Sequence, residues 1–168
     1  PESFDLLQKL SEFYKLSRDN FIIGEGIDGL LGNLVRLFIG PGDEVVSTDD
    51  LYGGSYRLFT KIFEDFGIRF HFVNMSNVDN VEAAINKNIR MVWVETPTNP
   101  MMNVIDIKAV SVLCKSNDVL LAVDNTFASP YIQQPLNLGA DIVMNSATKY
   151  LAGHSDVILG SLVTNDKS

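Results

Sequence analysis

The stretch DVLLAVDNTF, residues 118–127, sets five consecutive apolar residues between two aspartates. A continuous apolar run of this length, bounded by turn-forming residues, is typical of a strand that is covered on both faces in a parallel sheet. The ligand crevice of such a sheet lies at the carboxyl ends of its strands, so we expect Asp124 at that edge. A carboxylate that ends an apolar strand is unfavourable to bury unless it meets a cation. An aspartate that merely caps the strand end is the plainer alternative.

The rest of the chain alternates between helical and strand-like apolar spacing, which is typical of strands joined by crossover helices. Strands are predicted at residues 21–23, 45–46, 69–73, 91–94, 119–123, 141–145 and 157–163. Helices are predicted at residues 4–14, 30–38, 56–66, 81–85 and 105–115. This order predicts an α/β fold with a doubly wound, mostly parallel sheet, in a single domain without an internal linker.

Composition narrows the classes of function. The 168 residues carry 13 basic and 21 acidic side chains, a net charge of −8, which argues against non-specific nucleic-acid binding because that requires clustered cations. No apolar run approaches the ~20 residues of a membrane span, so we expect no membrane partner. The single cysteine, Cys114, excludes an intramolecular disulfide and fits a cytoplasmic protein. No metal site is predicted.

A glycine-rich loop, GEGIDG at residues 24–29, follows one predicted strand and precedes a predicted helix. The spacing matches the G-x-G-x-x-G fingerprint of dinucleotide-binding proteins. Asp49, twenty residues after Gly29, or Asp50 is a candidate ribose ligand. A tight turn without a ligand is the plainer alternative. In a functional interpretation, backbone amides at the start of the helix form an anion site, and phosphate is the expected anion.

A lysine, Lys149, follows another predicted strand in the sequence SATK, residues 146–149. A partly buried amine at a strand end can form a Schiff base, and neighbouring hydroxyl groups can hold a phosphate. An ordinary surface lysine is the alternative. The position predicted for Asp124 favours the functional interpretation, because a carboxylate there suits the protonated ring nitrogen of a pyridine cofactor.

Five longer motifs occur in order between residues 49 and 164: DLYGG (50–54), ETPTNP (95–100), VDNTFASPY (123–131), SATKY (146–150) and GHSD (153–156). In these motifs the chain closely resembles the pyridoxal-phosphate enzymes of cysteine and methionine metabolism, a family that includes cystathionine γ-synthase and the cystathionine lyases. The resemblance implies the large-domain core of the type I aminotransferase fold and pyridoxal 5'-phosphate as cofactor. It also implies transsulfuration, that is, elimination or replacement at the β- or γ-carbon of cystathionine, of cysteine- or homocysteine-type amino acids, or of homoserine esters.

The resemblance implies a role for each matching residue. Lys149 corresponds to the lysine that binds the cofactor covalently and then moves protons, and Asp124 corresponds to the partner of the pyridine nitrogen. Tyr52 corresponds to the tyrosine that stacks on the cofactor ring and assists proton transfer. Ser146 and Thr148 correspond to the residues whose hydroxyl groups bind the phosphate.

Two loops add further implied pocket residues. Asn99 and Glu95 line the family's pocket, with Asn99 near the phenolic oxygen of the cofactor. In the glycine loop, the backbone amides of Ile27, Asp28 and Gly29 are expected to contact the phosphate. The resemblance also implies a small amino-acid substrate and a homo-oligomer whose active sites are shared between subunits.

The first 48 residues depart from this family. Residues 20–46 resemble histidinol-phosphate-type aminotransferases, which suggests a chimera joined near residues 47–49 or a natural divergence. The family's small carboxyl-terminal domain, with the arginine that binds the substrate carboxylate, has no counterpart in the 168 residues. We therefore interpret residues 1–168 as a cofactor-binding large-domain core, with an aminotransferase-like portion, 1–48, and a transsulfuration-enzyme-like portion, 49–168. The alternatives are a non-catalytic cofactor-binding fragment, an aminotransferase and, least favoured, a nicotinamide-dependent oxidoreductase.

Overall fold

A seven-stranded mixed sheet forms the centre of the computed structural model, which describes residues 2–165 and their side chains from residue 5 onward. The strands are β1 (Phe21–Gly24), β2 (Glu44–Thr48), β3 (Arg69–Val73), β4 (Ile89–Glu95), β5 (Leu120–Asp124), β6 (Ile142–Ser146) and β7 (Gly160–Thr164). Their order across the sheet is β1-β7-β6-β5-β4-β2-β3.

Helices connect most of these strands, as the alternating apolar spacing predicts. They are α1 (Glu2–Tyr14), α2 (Gly26–Phe38), α3 (Gly53–Leu58), α4 (Val78–Ala84), α5 (Ile107–Ser116) and α6 (Ser129–Ile132). A π-helical turn, Phe59–Phe63, continues α3.

Five neighbouring strands, β3, β2, β4, β5 and β6, run parallel, which confirms the mostly parallel sheet. Strand β7 is antiparallel to β6, because residues 147–159 return the chain to the sheet from the same edge without a crossover helix. Strand β1 is in turn antiparallel to β7, so it runs in the same direction as the parallel strands. Gly160 therefore pairs with both Ser146 and Gly24, and the glycine loop begins at the carboxyl edge of the sheet.

The sheet is covered on both faces, as the continuous apolar strands predict. Along β4, Val92 and Val94 pack into a core with α1, α4 and α5, whereas Met91 and Trp93 pack into a second core with α2 and the π-helical turn. All four of these side chains are at most 1% exposed. Burial of both faces of the central strands leaves their carboxyl ends as the place where polar side chains converge.

Helix α2 packs closely against the sheet, and two glycines leave the space for this approach. A Cβ at Gly24 would lie 2.8 Å from Cδ2 of Leu30, and a Cβ at Gly160 would lie 2.6 Å from the carbonyl oxygen of Gly26. Gly29, by contrast, has no neighbouring atom within 4 Å of the position of a Cβ. In the dinucleotide fingerprint the third glycine serves close packing, so the loop fits that motif in spacing but not in the steric role of Gly29.

Several element boundaries differ from the sequence-based predictions, including the starts of α2, α3, α4 and β7. The helix predicted at residues 56–66 begins at Gly53. The prediction missed its first turn because the two glycines there are poor helix formers and give no apolar signal. The strand predicted at residues 157–163 begins at Gly160. The preceding residue, Leu159, is instead bonded through its backbone to the side chain of Thr148.

Candidate active site

A cavity of about 560 Å³ lies where the carboxyl ends of β4, β5 and β6 meet the amino end of α2. Sites for small molecules commonly have volumes of ~300–1,000 Å³. The cavity is lined by Glu25, Gly26, Ile27, Asp28, Tyr52, Glu95, Asn99, Asp124, Thr126, Phe127, Ser146, Thr148, Lys149 and Ile158. The structure thus brings together the predicted site residues with one exception, Gly29.

Asp124 is the last residue of β5 and is 2% exposed. Its Oδ1 accepts hydrogen bonds from the backbone N–H of Thr126 at 3.0 Å and from the hydroxyl group of Thr126 at 2.5 Å. Burial raises the pKa of Asp124 to about 6, although both bonds from Thr126 act in the opposite direction. A cation in the cavity would stabilise the ionised carboxylate, as predicted from its place at the end of an apolar strand.

Glu95 is the last residue of β4, pairs in register with Asp124 and is 5% exposed. Its Oε2 accepts a hydrogen bond from the backbone N–H of Tyr52 at 2.8 Å. Burial raises the pKa of Glu95 to about 8, and the negative charges of Asp124 and Asp50 add to this effect. Two buried carboxyl groups therefore share one face of the cavity and disfavour each other's ionisation.

Tyr52 lies between β2 and α3 with its ring over Gly54. A Cβ at Gly54 would overlap the Tyr52 ring, so the second glycine of the DLYGG motif leaves the space that this ring occupies. The bond from the Tyr52 N–H to Glu95 ties the same residue to the end of β4. Tyr52 is 38% exposed and lines the cavity, where an aromatic ring can stack on a planar ligand.

The ETPTNP loop places Asn99 in the lining through bonds to a neighbouring loop. The Thr98 hydroxyl donates to the carboxylate of Asp50, and the backbone N–H of Met101 donates to the same carboxylate at 2.9 Å. The hydroxyl oxygen of Thr98 also accepts from the N–H of Asn103 at 2.8 Å. These bonds hold the loop that carries Asn99 against the loop that carries Tyr52.

Lys149 lies in a turn directly after β6, where its N–H donates to the carbonyl oxygen of Ser146 at 3.1 Å. Its side chain lines the cavity, but the residue is exposed rather than partly buried as expected, because the turn carries it beyond the covered part of the sheet. The hydroxyl oxygen of Thr148 accepts from the N–H of Leu159 at 2.9 Å, and its proton points to the Leu159 carbonyl oxygen at 3.2 Å. To donate to a phosphate, the Thr148 hydroxyl would have to rotate away from that carbonyl.

The amino end of α2 forms the remaining wall of the cavity. Its N-cap residue, Glu25, makes no side-chain capping bond, and Gly26 begins the helix with a φ of +76°. Ile27 and Asp28 line the cavity, and the helix directs the positive end of its dipole toward the space. Gly29 lies outside the lining because the helix starts earlier along the chain than the prediction assumed.

No individual role was predicted from the sequence for four of the lining residues, Glu25, Thr126, Phe127 and Ile158. The Asp-Asn-Thr spacing is a turn signal that predicts a bond from the Thr126 N–H to Asp124, so Thr126 was within reach of sequence reasoning. Ile158 enters the cavity from the loop before β7, and an isolated isoleucine in a loop gives no such signal.

These features define a class: an α/β protein that can hold an anionic ligand with a cationic ring. The amino end of α2 and the hydroxyl groups of Ser146, at the end of β6, and Thr148, just after it, suit a phosphate. The carboxylate of Asp124 suits a protonated ring nitrogen, and Lys149 supplies an amine at the same cavity. The residues present thus fit pyridoxal 5'-phosphate.

Comparison with known proteins gives the particular family. Residues 21–168 match the model of the Cys/Met metabolism PLP-dependent enzyme family, and the chain belongs to this family. Pyridoxal phosphate is therefore the cofactor, and the dinucleotide interpretation of the glycine loop is dropped. The match includes nearly all of the segment 20–46, which resembled aminotransferases.

Several relatives are similar over most of this chain. It is 50% identical over 133 residues to cystathionine γ-synthase of Mycobacterium leprae, which covers 79% of this chain and 34% of that protein. It is 46% identical over 147 residues to cystathionine β-lyase of Lactococcus lactis subsp. cremoris, covering 88% of this chain and 38% of the relative. The crystal structure of cystathionine γ-lyase from Lactobacillus plantarum complexed with L-serine superposes with a TM-score of 0.89 at 39% identity, covering 94% of this chain and 40% of that one. The chain thus spans between a third and two fifths of the length of these proteins.

Within residues 2–165, none of the helices has the length and apolar character that crossing a membrane requires.

Proposed function

We propose that this chain forms the cofactor-binding part of a transsulfuration enzyme, which eliminates or replaces the β- or γ-substituent of a sulfur amino acid or a homoserine ester. The observation that carries this proposal is the presence of Asp124 and Lys149 in the lining of one cavity beside the open amino end of α2. The relatives support the reaction class, because they are named cystathionine γ-synthase, β-lyase and γ-lyase.

Bound pyridoxal phosphate supplies an aldehyde and a ring that withdraws electrons from the bonds at the substrate Cα. Asp124 would keep a proton on the ring nitrogen, which makes the ring a stronger electron acceptor. Lys149 would provide the amine that attaches to the cofactor and would then move a proton at Cα. Tyr52 would stack on the ring, while Ser146, with the amides that begin α2, would hold the phosphate.

A non-catalytic cofactor-binding fragment is the second candidate, and the exposure of Lys149 favours it, because the lysine that forms a Schiff base was expected to be partly buried. An assay separates the two. The chain is incubated with pyridoxal phosphate and cystathionine, and the products are identified. Cleavage at the β-carbon gives homocysteine, pyruvate and ammonia, whereas cleavage at the γ-carbon gives cysteine, 2-oxobutyrate and ammonia. Formation of cystathionine from cysteine and a homoserine ester would indicate the synthase. If the cofactor binds and no product forms in either direction, the fragment interpretation is correct.

We further propose that the chain acts on a small amino acid in the cytoplasm as a homo-oligomer. The buried free thiol of Cys114 supports a reducing compartment. Exposed apolar side chains support self-association, since Tyr131, Ile132 and Ile158 are 89%, 78% and 77% exposed. Sedimentation velocity tests this: wild type should sediment as an oligomer, and Ile132→Glu should shift it toward monomer. A wild-type chain that stays monomeric at all concentrations would refute the oligomer.

A further inference from the structure

One hydroxyl group, that of Thr126, lies between the two ends of the cavity. Its Oγ1 is 2.5 Å from Oδ1 of Asp124 at the end of β5 and 2.8 Å from the backbone nitrogen of Ser146 at the end of β6. Thr126 also lines the cavity itself. The residue therefore contacts the carboxylate expected to hold the ring nitrogen and the strand end expected to hold the phosphate.

The chemistry of the three groups determines the direction of both bonds. The Ser146 N–H has one proton and can only donate, so Oγ1 of Thr126 must accept there. The Thr126 hydroxyl proton is then left to donate to Oδ1 of Asp124, which already accepts the Thr126 N–H at 3.0 Å. Because the N–H and the hydroxyl group of Thr126 both donate to Oδ1, they hold the Asp124 carboxylate in one orientation. Oδ2 is the oxygen left for a ligand in the cavity.

We propose that Thr126 is a positioning residue, whose single hydroxyl group holds the Asp124 carboxylate and the Ser146 backbone in a fixed relation. This inference rests on the proposed function in one respect, namely that these two positions contact the ring nitrogen and the phosphate of one cofactor. The strand pairing alone does not supply this link, because β5 and β6 pair in register only as far as Asp124 and Met144. Beyond that pair, the N–H of Asn125 donates to the carbonyl oxygen of Met144 at 2.8 Å, and the bond from the Ser146 N–H to the Thr126 hydroxyl is the next link between the two strand ends.

The direction of the Asp124 pKa agrees with this arrangement. Burial raises it, and the side-chain and backbone bonds from Thr126 lower it. Removal of the hydroxyl group should therefore raise the pKa of Asp124 further and leave the buried Ser146 N–H without an acceptor.

The test compares Thr126→Val, which keeps the shape but loses the hydroxyl, with Thr126→Ser, which keeps the hydroxyl. Thr60→Val is the matched control, because its hydroxyl bonds to the carbonyl oxygen of Tyr56 in a helix outside the cavity. Two measurements are made on the chain without cofactor: the pKa of Asp124 by carbon-13 NMR, and hydrogen exchange of the Ser146 amide. In Thr126→Val we expect the pKa to rise by about one pH unit and exchange to accelerate about tenfold. Thr126→Ser and Thr60→Val should match wild type in both.

A third measurement, titration with pyridoxal phosphate, keeps this inference separable from the proposed function. We expect Thr126→Val to bind about tenfold more weakly than wild type, and Thr126→Ser to bind as wild type does. If the wild-type chain does not bind the cofactor, the proposed function fails, while the two cofactor-free measurements still decide the role of Thr126. The inference is overturned if Thr126→Val leaves the pKa and the exchange rate unchanged, or if Thr126→Ser alters both as much as valine does. Should the valine variant not fold, Thr126→Ala is compared with Thr126→Ser by the same criteria.

Discussion

At the scale of single residues, Asp124 and Glu95 determine the electrostatics of the cavity. They end neighbouring strands in register, both are buried, and burial raises the pKa of both. Two carboxyl groups in this arrangement do not both ionise readily unless a cation is present. A cationic ring nitrogen is therefore expected to bind beside Asp124 and to favour ionisation of the pair.

Asp124→Asn removes the charge and keeps the shape and the acceptor for Thr126. Removing one partner of a buried charge pair costs ~2–5 kcal/mol of binding free energy, so the affinity for pyridoxal phosphate should fall about a hundredfold. Absorbance titration of wild type and variant measures this. Asp106→Asn serves as the control, since its carboxylate only caps α5 and asparagine caps equally well. An unchanged affinity in Asp124→Asn would mean that Asp124 does not hold the ring.

Glu95→Gln should change how the stability of the cofactor-free chain depends on pH. The folded pKa of Glu95, about 8, lies above its ordinary value of 4.5, so between these values the folded state binds more protons than the unfolded state. Stability of the wild type must then fall as pH rises through this window, and it should level off above pH 8. Glutamine removes this contribution and still accepts the Tyr52 N–H.

The advantage of Glu95→Gln over wild type in melting temperature should therefore grow from low pH to about pH 8. Glu82→Gln, on the exposed face of α4, should show no such growth. A Glu95→Gln advantage that is constant with pH would contradict the raised pKa.

At the scale of elements, the contact between α2 and the sheet shapes the phosphate end of the cavity. Gly160→Ala would bring a Cβ to 2.6 Å from the Gly26 carbonyl, so overpacking should lower the free energy of unfolding by ~1–3 kcal/mol. Gly29 lies in α2 itself and has open space around it, so Gly29→Ala should raise the free energy of unfolding by ~0.5–1 kcal/mol through helix propensity. Urea unfolding of wild type and both variants measures these two changes in the free energy of unfolding. Equal effects of the two substitutions would show that α2 does not lie as close to β7 as the structure has it.

Most strands were predictable from sequence because they contain a short continuous run of apolar residues, whereas the pairing partners of β1 and β7 were not predictable. Their antiparallel placement follows from the loop 147–159, which returns to the sheet without a helix. The start of β7 depends on Thr148, because its hydroxyl group forms hydrogen bonds with the backbone N–H and carbonyl oxygen of Leu159. Such contacts between distant residues are not expressed in local apolar periodicity.

The same distinction applies to the site. Asp124 and Lys149 were predictable because polar residues directly after buried strands converge at one edge in this type of sheet. The role of Thr126 depends on the distance between two strand ends, and that of Ile158 depends on the path of a loop. Neither quantity can be read from the spacing of residues along the chain.

At the scale of the whole molecule, a chain of 168 residues builds a cavity whose lining extends from Glu25 to Ile158. The folded strand order brings this lining together, since β1, β7, β6, β5 and β4 are successive neighbours in the sheet. The central claim is that these residues bind pyridoxal phosphate and that Lys149 attaches to it.

Reductive trapping tests this claim most directly. The chain is mixed with pyridoxal phosphate, reduced with borohydride, digested and analysed for the modified peptide by mass spectrometry. Other lysines, such as Lys108 and Lys115 on α5, serve as internal controls for non-specific modification, and Lys149→Ala serves as the matched variant. We predict one dominant modification, at Lys149, that disappears in Lys149→Ala. Modification spread over other lysines, or none at all, would contradict the account.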